Sequence, residues 1–377
     1  MIKYLSKARE KELTGTALLR LDFNTKNEWR MEAAIPTIRF LLKYADKVVI
    51  LSHRGRPASI KITAGKPKGF DNTLGLSRDA ASLRTLLGKR INFLSDFDFP
   101  AHKKFIAESP RKSVFVLENL RFLDGERKND KKLAKKLASL GDFYVNDAFA
   151  VSHRKDASLA AITGFLPSYA GLELEKEMKF LSRVMKKPKK PLVVILGGAK
   201  ARDKLGILEF FKNKADWFLL GGAAANTLLF LKGVKTGKSL MNGDADDLKK
   251  LRRVLGYKNL ILPVDWLAEK SAILDIGGNT ENLFLNKIKN AKTVIWSGPM
   301  GMVEKRKFSG GTLAVAREIA KNNNVFSIAG GGETVTFLKK HRLAQKFGFI
   351  STGGGAMLRF LAGEKLPGIE ALKRNKS

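Results

Sequence analysis

The chain has 377 residues, 44% of them hydrophobic, and this length predicts two domains rather than one. It contains no cysteine, which excludes disulfides, thiolate metal sites and cysteine nucleophiles. The 70 lysines and arginines against 36 aspartates and glutamates give a net charge of +34, which attracts nucleotides, sugar phosphates and nucleic acids alike. The basic residues are spread along the chain and are not interleaved with aromatic residues, so a solvated basic surface is the alternative interpretation.

The N-terminus and the apolar stretches bear on localisation. Residues 1–7 lack the apolar core of a signal peptide. The longest apolar stretch, 217–231, is interrupted by glycine and polar residues and is shorter than the ~18 to 20 residues of a membrane span. We therefore expect a cytoplasmic protein with no membrane association.

Short apolar runs rich in valine, isoleucine and aromatic residues alternate with helical patterns along the chain. The predicted strands cover residues 17–22, 48–52, 114–119, 143–147, 192–196, 217–222, 260–265, 294–298 and 325–330. Helical patterns such as 33–43 and 131–140 lie between them. This alternation predicts an α/β protein with parallel sheets covered by helices on both faces.

Two segments suggest how the domains are connected. Residues 172–185 have helical spacing and lie between the first four predicted strands and the last five, which indicates a helix connecting two domains. The last segment, 358–377, is broken at Pro367-Gly368 and is predicted to dock as a tail.

Basic and hydrogen-bonding residues follow each of the first four predicted strands. They are Asp22, Asn24, Arg30, His53, Arg56, Arg121 and Arg154. Because the carboxyl ends of parallel strands share one edge of a sheet, these side chains are predicted to converge on one rim. Arginine makes planar bidentate contacts with carboxylates and phosphates, so the rim suits a small acidic phosphorylated metabolite. Taken singly, each arginine is more simply a surface or ion-paired residue.

Residues 192–204 (LVVILGGAKARDK) predict an anion site. Five apolar residues predict a buried strand, two glycines permit a sharp turn, and the remainder predicts the start of a helix with Lys200 and Lys204 on one face. A helix N-terminus with two ammonium groups suits a polyphosphate. The alternative is an ordinary strand–turn–helix connection with two solvated lysines.

Other glycine-rich turns in the second half repeat this pattern. Residues 330–332 and 353–355 each precede a helical run and predict further phosphate-binding N-termini. Gly221-Gly222 and Gly298-Pro299 would give flat walls for an adenine. Residues 233–239 have three residues between glycines where a Walker A loop needs four, so that motif is excluded.

Eight motifs, in collinear order over essentially the whole chain, resemble the signatures of the phosphoglycerate kinase family. They are RLDFN (20–24), SHRGRP (52–57), LENLRF (117–122), VNDAF (145–149), GGAKARDK (197–204), IWSGPMG (295–301), GGGET (330–334) and STGGG (351–355).

The resemblance implies two doubly wound, Rossmann-like domains joined by a hinge helix. The implied boundaries are 1–168 for the first domain, with the tail 362–377 returning to it, 169–187 for the interdomain helix and 188–361 for the second domain. It also implies reversible transfer between ATP and the carboxylate of 3-phosphoglycerate, giving ADP and 1,3-bisphosphoglycerate, with Mg²⁺ and domain closure. We expect a monomer with these small-molecule substrates and no specific nucleic-acid partner.

The resemblance also assigns residues. The rim named above would bind 3-phosphoglycerate, and a catalytic set would comprise Arg30, Lys200, Gly332 and Gly355. The nucleotide would contact Gly198, Ala199, Lys200, Lys204, Gly221, Gly222, Ser297, Gly298, Pro299, Glu304, Gly331, Gly332, Glu333 and Thr334. Lys200 would stabilise the phosphoryl group in flight, Glu304 would contact the ribose and Glu333 the metal. A carboxylate acceptor is already ionised at neutral pH, so no general base is needed.

Four departures from the family pattern affect these expectations. The loop 25–29 is short, residues 275–280 lack the usual Pro-Lys, Ser297 replaces Asn, and Glu333 replaces Asp. Because Mg²⁺ demands tight octahedral geometry, the longer Glu333 side chain is expected to alter that contact. We predict an active enzyme with altered nucleotide affinity. The competing hypotheses are a non-catalytic nucleic-acid-binding relative and a kinase for a different acid.

Overall fold

A computed structural model describes residues 1–25, 29–57, 72–241 and 244–374. The chain divides into two compact units, the first comprising Met1–Met178 with Lys365–Ser377 and the second Lys179–Glu364. Within the described segments, no helix combines the length and the apolar character needed to cross a membrane.

The first unit is built on a parallel sheet with helices between its strands. The strands are β1 (Thr16–Arg20), β2 (Lys47–Leu51), β3 (Ile91–Leu94), β4 (Val114–Leu117), β5 (Phe143–Asn146) and β6 (Ser168–Ala170). The helices are α1 (Trp29–Tyr44), α2 (Ser77–Leu87), α3 (Phe99–Glu108), α4 (Asp124–Arg127) and α5 (Lys131–Ala138). Helix α6 (Leu172–Lys186) begins in this unit and ends in the second. The described strands of this sheet follow the order β3-β4-β2-β1-β5-β6, and each neighbouring pair is parallel.

Both faces of this sheet are buried, as expected when helices cover both sides. Successive side chains of a strand point to opposite faces. Leu19 of β1 belongs to a core that includes Ile38 and Leu41 of α1, while its neighbour Leu18, on the opposite face, is equally inaccessible. The central strands therefore read as nearly continuous apolar runs with polar residues at their ends. The edge strand β3 differs, since it is only partly buried and carries Asn92 in its interior.

The second unit repeats this architecture and adds a hairpin. Its strands are β7 (Leu192–Leu196), β8 (Trp217–Leu220), β9 (Leu260–Ile261), β10 (Trp266–Glu269), β11 (Ala272–Ile276), β12 (Thr293–Ser297), β13 (Phe326–Gly330) and β14 (Phe349–Ile350). Its helices are α7 (Leu205–Phe211), α8 (Gly222–Leu231), α9 (Ala245–Val254), α10 (Gly278–Lys289), α11 (Gly310–Lys321), α12 (Gly332–Lys340) and α13 (Gly354–Leu361). The described parallel sheet has the order β14-β13-β12-β7-β8-β9, and β10 pairs with β11 in an antiparallel hairpin.

The predicted fold class of two doubly wound parallel sheets is confirmed. One local prediction is wrong: residues 199–204 do not form the first turns of a helix. The chain after β7 stays irregular, a single 3-10 turn covers Arg202–Lys204, and α7 begins only at Leu205.

The C-terminal segment returns to the first unit as helix α14 (Pro367–Leu372). Proline occupies the first turn of this helix, where its missing N–H is not needed. The Gly368 N–H donates to the Ser152 carbonyl at 2.8 Å, and the Asn146 amide donates to the Gly368 carbonyl at 3.3 Å. Residues 375–377 of the predicted tail lie outside the described part of the chain.

Candidate active site

The polar strand ends meet at the topological switch point of each sheet. In the first unit the strand order reverses direction between β1 and β5, and in the second between β7 and β12. Ligands of open α/β sheets bind beyond the carboxyl ends of the strands at such points. In each group, some of the predicted site residues follow these strands, and the others follow neighbouring strands of the same sheet.

The structure brings several predicted residues of the first unit together. Arg30 Nη1 lies 3.3 Å from Asp22 Oδ2 in an ion pair. Asn24 Oδ1 accepts from the Gly55 N–H at 2.8 Å, and Arg121 Nη1 donates to the Gly55 carbonyl at 2.5 Å. Gly55 therefore ties the ends of β1, β2 and β4 into one rim. Residues 26–28 of the short loop before Arg30 lie outside the described residues.

His53 lies beneath this rim, fully buried between two guanidinium groups. Its Nδ1 is 3.0 Å from Arg20 Nη2, and its Nε2 is 2.8 Å from Arg154 Nη1. Burial, reinforced by the charges of Arg20, Arg121 and Arg154, holds the pKa of His53 well below its ordinary value. His53 is therefore a neutral polar group and adds no positive charge to the rim.

The arginines of the rim are only partly compensated by carboxylates. Burial, and then repulsion from Arg154, lower the pKa of Arg121 to about 10, which still leaves the group protonated at neutral pH. Arg121 Nη2 is 4.0 Å from Asp156, and Arg56 is exposed. A cluster of like charges of this kind is relieved by a bound anion.

Sequence reasoning missed Arg20 as a site residue. Its guanidinium is completely inaccessible, donates through Nε to Ser158 Oγ at 2.8 Å and lies 4.0 Å from Glu126. The available signal was its position inside the apolar run ALLRL, since arginine is almost never fully buried without partners.

In the second unit, the turns after β7 and β12 meet backbone against backbone. The Gly198 N–H donates to the Pro299 carbonyl at 2.7 Å, and a side chain at Gly197 or Gly298 would overlap this contact. Gly198 and Gly298 also have φ of +76° and +91°, which disfavour any other residue. These glycines serve the close approach of the two turns.

The neighbouring glycines have a similar role. The N–H groups of Gly221 and Gly222 donate to the carbonyls of Leu196 at 2.9 Å and Met300 at 3.0 Å. They are therefore already engaged within the protein. Gly222 lines the adjacent cleft, while Gly221 packs against Met300.

A cleft of about 150 Å³ opens beside these turns. Its walls are mostly apolar and include Leu240, Pro263, Trp266, Ile276 and Met302. The predicted nucleotide residues that line it are Gly198, Ala199, Gly222, Pro299, Glu304 and Glu333. An apolar cleft with a few polar groups in its lining is the ordinary form of a small-molecule site.

The two lysines of the β7 turn differ sharply in environment. Lys200 is exposed in the irregular segment, so the expectation that it shares a helical face with Lys204 is wrong. Lys204 is only 6% exposed, and its Nζ lies 3.3 Å from Ser297 Oγ. Burial lowers the pKa of Lys204 to about 8, against the opposing effect of Asp203 and Glu333. Lys204 is thus a buried cation held by a neutral hydroxyl.

The N-termini of α12 and α13 converge. A Cβ at Gly354 would lie 3.3 Å from the Gly331 Cα, whereas a Cβ at Gly332 or Gly355 would have no described atom within 4 Å. The unpaired N–H groups of a helix start attract anions, and open space borders both starts. The Thr334 hydroxyl is buried and accepts from the Gly298 N–H at 2.9 Å.

Glu333 is the predicted metal-contacting residue. It is exposed in the first turn of α12 and lines the cleft. Among the described residues no group of three or more His, Asp or Glu side chains could form a protein cage for a metal. Mg²⁺ is commonly held by one or two carboxylates together with substrate phosphates and water, and the single carboxylate fits that mode.

Comparison with known proteins gives the family. The family model for phosphoglycerate kinase matches residues 11–364. The chain belongs to the phosphoglycerate kinase family. It is 38% identical to the phosphoglycerate kinase of Dictyoglomus turgidum over 97% of each chain, and 39% identical to that of Pseudothermotoga lettingae over 95% of this chain and 96% of the relative.

Solved structures agree. The phosphoglycerate kinase of Pyrococcus horikoshii has a TM-score of 0.84 and 30% identity, covering 99% of this chain and 98% of that one. The enzyme from Coxiella burnetii has a TM-score of 0.81 and 32% identity over the whole of both chains. The predicted family and enzyme class, a phosphotransferase, are confirmed.

Proposed function

We propose that this member of the phosphoglycerate kinase family catalyses reversible phosphoryl transfer between ATP and the carboxylate of 3-phosphoglycerate, the reverse direction using 1,3-bisphosphoglycerate and ADP. The observation that carries the proposal is the rim of guanidinium groups around neutral His53 at one sheet edge of the first unit. Bidentate donors suit an acceptor that carries both a carboxylate and a phosphate.

The first unit would bind the acid. Arg56 is exposed and can reach a ligand, while Arg121 is buried and Arg154 is half-buried, and both are held in place from below. Arg30, whose Nη1 is already paired with Asp22, would keep its other donors for the reacting carboxylate. Asn24 would act by fixing the Gly55 turn.

The second unit would bind the nucleotide. The apolar cleft would receive the base, and Glu304, which also lines the cleft, would contact the ribose. Buried Lys204 would bind a phosphate oxygen of the nucleotide, and exposed Lys200 would stabilise the phosphoryl group during its transfer. The N–H groups at Gly332 and Gly355 would add donors that need no reorganisation during the reaction. Alignment and charge neutralisation would thus supply the catalysis.

Glu333 would hold Mg²⁺ together with the nucleotide phosphates, since it is an exposed carboxylate that lines the cleft in the first turn of α12. When bound, the ion neutralises phosphate charge. The additional methylene of Glu333 relative to aspartate would be absorbed by the side-chain torsions of an exposed residue.

We place the hinge for domain closure in α6, with the domain boundaries near those implied by the sequence. The division between the compact units falls inside this helix, at Met178. Solution scattering tests this proposal: addition of both substrates should reduce the radius of gyration, and identical curves would contradict closure.

A coupled assay tests the reaction. Purified protein with Mg²⁺ and ATP should turn over 3-phosphoglycerate faster than other small acids, and absence of turnover with any acid would refute the proposal. We also propose a cytoplasmic monomer without a specific nucleic-acid partner. Binding to nucleic acid, if present, should therefore be non-specific and fall steeply with salt.

A further inference from the structure

Three buried residues beneath the rim form a network that the proposed reaction does not use directly. Arg20, Glu126 and Ser158 are completely inaccessible. Ser158 Oγ donates to Glu126 Oε1 at 2.5 Å and accepts from Arg20 Nε at 2.8 Å. The Ser158 N–H donates to Glu126 Oε2 at 3.0 Å, and Glu126 Oε1 lies 4.0 Å from Arg20 Nη2. Every partner in this network fixes the position of the Arg20 guanidinium.

The fixed guanidinium constrains His53. Arg20 Nη2 lies 3.0 Å from His53 Nδ1, and arginine can only donate. A neutral imidazole has one acceptor nitrogen and one N–H. If Nδ1 is the acceptor, the proton of His53 is on Nε2.

The contact on the other side of the ring competes with this assignment, because it too brings a guanidinium donor to a ring nitrogen. Arg154 Nη1 lies 2.8 Å from His53 Nε2, so one of the two arginines must face an N–H rather than an acceptor. Two N–H groups that point at each other cost the most free energy where neither group can move away or bind water. Arg20 is fully buried and held by Ser158, Glu126 and the Leu21 carbonyl, whereas Arg154 is partly exposed and can move aside. The two donors therefore face each other at Nε2. An anionic oxygen bound there would accept hydrogen bonds from both the Nε2–H of His53 and the guanidinium of Arg154.

We propose that Glu126 and Ser158 are positioning residues that act through Arg20 to hold His53 as its Nε2–H tautomer, presenting a neutral donor to an oxygen of the acidic substrate. This inference rests on the proposed function for the identity of the ligand. The charged groups that act on the ring are Arg20, Arg54, Arg121 and Arg154, with Glu126 and Asp156 close to these arginines.

Long-range ¹H–¹⁵N NMR of the intact, ligand-free protein tests the tautomer directly, because the chain has 4 histidines and a His53→Gln variant assigns the signal. Burial raises the pKa of Glu126 to about 7, so spectra are recorded at least one unit above that value. We expect protonated Nε2 and unprotonated Nδ1 in the wild type. A wild-type His53 protonated on Nδ1, or on both nitrogens, would overturn the proposal.

Variants test the positioning role. Glu126→Gln removes the charge beside Arg20, and Ser158→Ala removes the acceptor for its Nε without changing any charge. We expect both to mix the two tautomers and to raise KM for the acid about tenfold, the loss of one hydrogen bond to a charged group, with kcat and the KM for ATP nearly unchanged. Glu108→Gln, at an exposed carboxylate of α3, is the matched control and should match the wild type.

The two proposals fail separately. A wild type that turns over no acid refutes the proposed reaction, while the NMR spectrum still reports the tautomer. Folded variants that keep the Nε2–H signal and the wild-type KM would overturn the positioning role. If Glu126→Gln does not fold, Ser158→Ala tests the positioning role alone, by the NMR signal of His53 and the KM for the acid.

Discussion

Replacing Lys204 by methionine should make the protein more stable while removing nucleotide binding. Methionine has a similar length and flexibility and is readily buried. Lys204 is buried beside the cleft, and its hydrogen bond in the structure is to the Ser297 hydroxyl. The folded protein therefore holds an ammonium group in an environment that does not neutralise it until a phosphate arrives.

The size of the effect follows from the pKa of Lys204, which burial lowers from 10.5 to about 8. Charging this group in the folded protein costs roughly 3 kcal/mol relative to the unfolded chain. Loss of the hydrogen bond to Ser297 offsets about 1 kcal/mol of the gain. We expect Lys204→Met to raise the free energy of unfolding at pH 7 by about 2 kcal/mol.

The pH dependence has a definite sign. Between about pH 8 and 10.5 the unfolded chain binds a proton at Lys204 that the folded protein has released. Wild-type stability therefore rises with pH through this window as far as Lys204 is concerned. Methionine does not titrate, so the advantage of the variant should shrink from pH 7 to pH 10.

Urea unfolding at both pH values, followed by circular dichroism, measures this difference. Lys200→Met is the matched control, because Lys200 is exposed: it should leave stability unchanged and abolish turnover while ATP binding persists. A Lys204→Met protein less stable than the wild type at pH 7, or an advantage that does not change with pH, would show that the Lys204 charge is already compensated and refute the reasoning.

Three further outcomes are expected. Gly332→Ala should lower kcat at least tenfold without loss of stability, because the added methyl group would occupy the space of the ligand. Gly278→Ala is the control: it also lies at a helix start with no described atom within 4 Å of the added Cβ, and it should leave activity intact. Arg56→Met should raise KM for the acid about tenfold and not that for ATP, and Arg78→Met, at an exposed arginine of α2, should change neither in the same steady-state assay. ADP should quench the fluorescence of Trp266, which lines the cleft. Trp266→Leu should weaken the binding free energy of ADP, measured by calorimetry, by about 1 kcal/mol.

The sequence predicts the sheets well because their strands are buried on both faces and end in polar or glycine residues. It fails for β3, β6, β14 and the β10–β11 hairpin. β3 is half-exposed and β14 has only two residues, so neither gives a long apolar run. Such short edge elements are defined by pairing with a neighbour, which a local pattern does not contain.

The site was harder to predict than the fold, because the environment of each site residue depends on whether tertiary contacts bury its side chain. Lys200 and Lys204 look equivalent in the sequence, but the contact between Gly198 and Pro299 directs the chain so that one is exposed and the other buried. Gly222, expected to form a flat wall for the base, does line the cleft, but its close contact with the Met300 carbonyl is not visible in the local sequence. These backbone contacts join residues that are 75 or more positions apart in the chain, and the spacing within a single helix or strand does not predict them.

Helix α14 has a consequence for biosynthesis. Because Pro367–Leu372 follows the whole second unit in the chain, the first unit leaves the ribosome lacking the segment that covers Asn146 and Ser152. Ile369 and Leu372, buried in the finished protein, must then find a partner that was translated more than 200 residues earlier. The nascent first unit should therefore need a chaperone, or a pause, until its own closing piece is made.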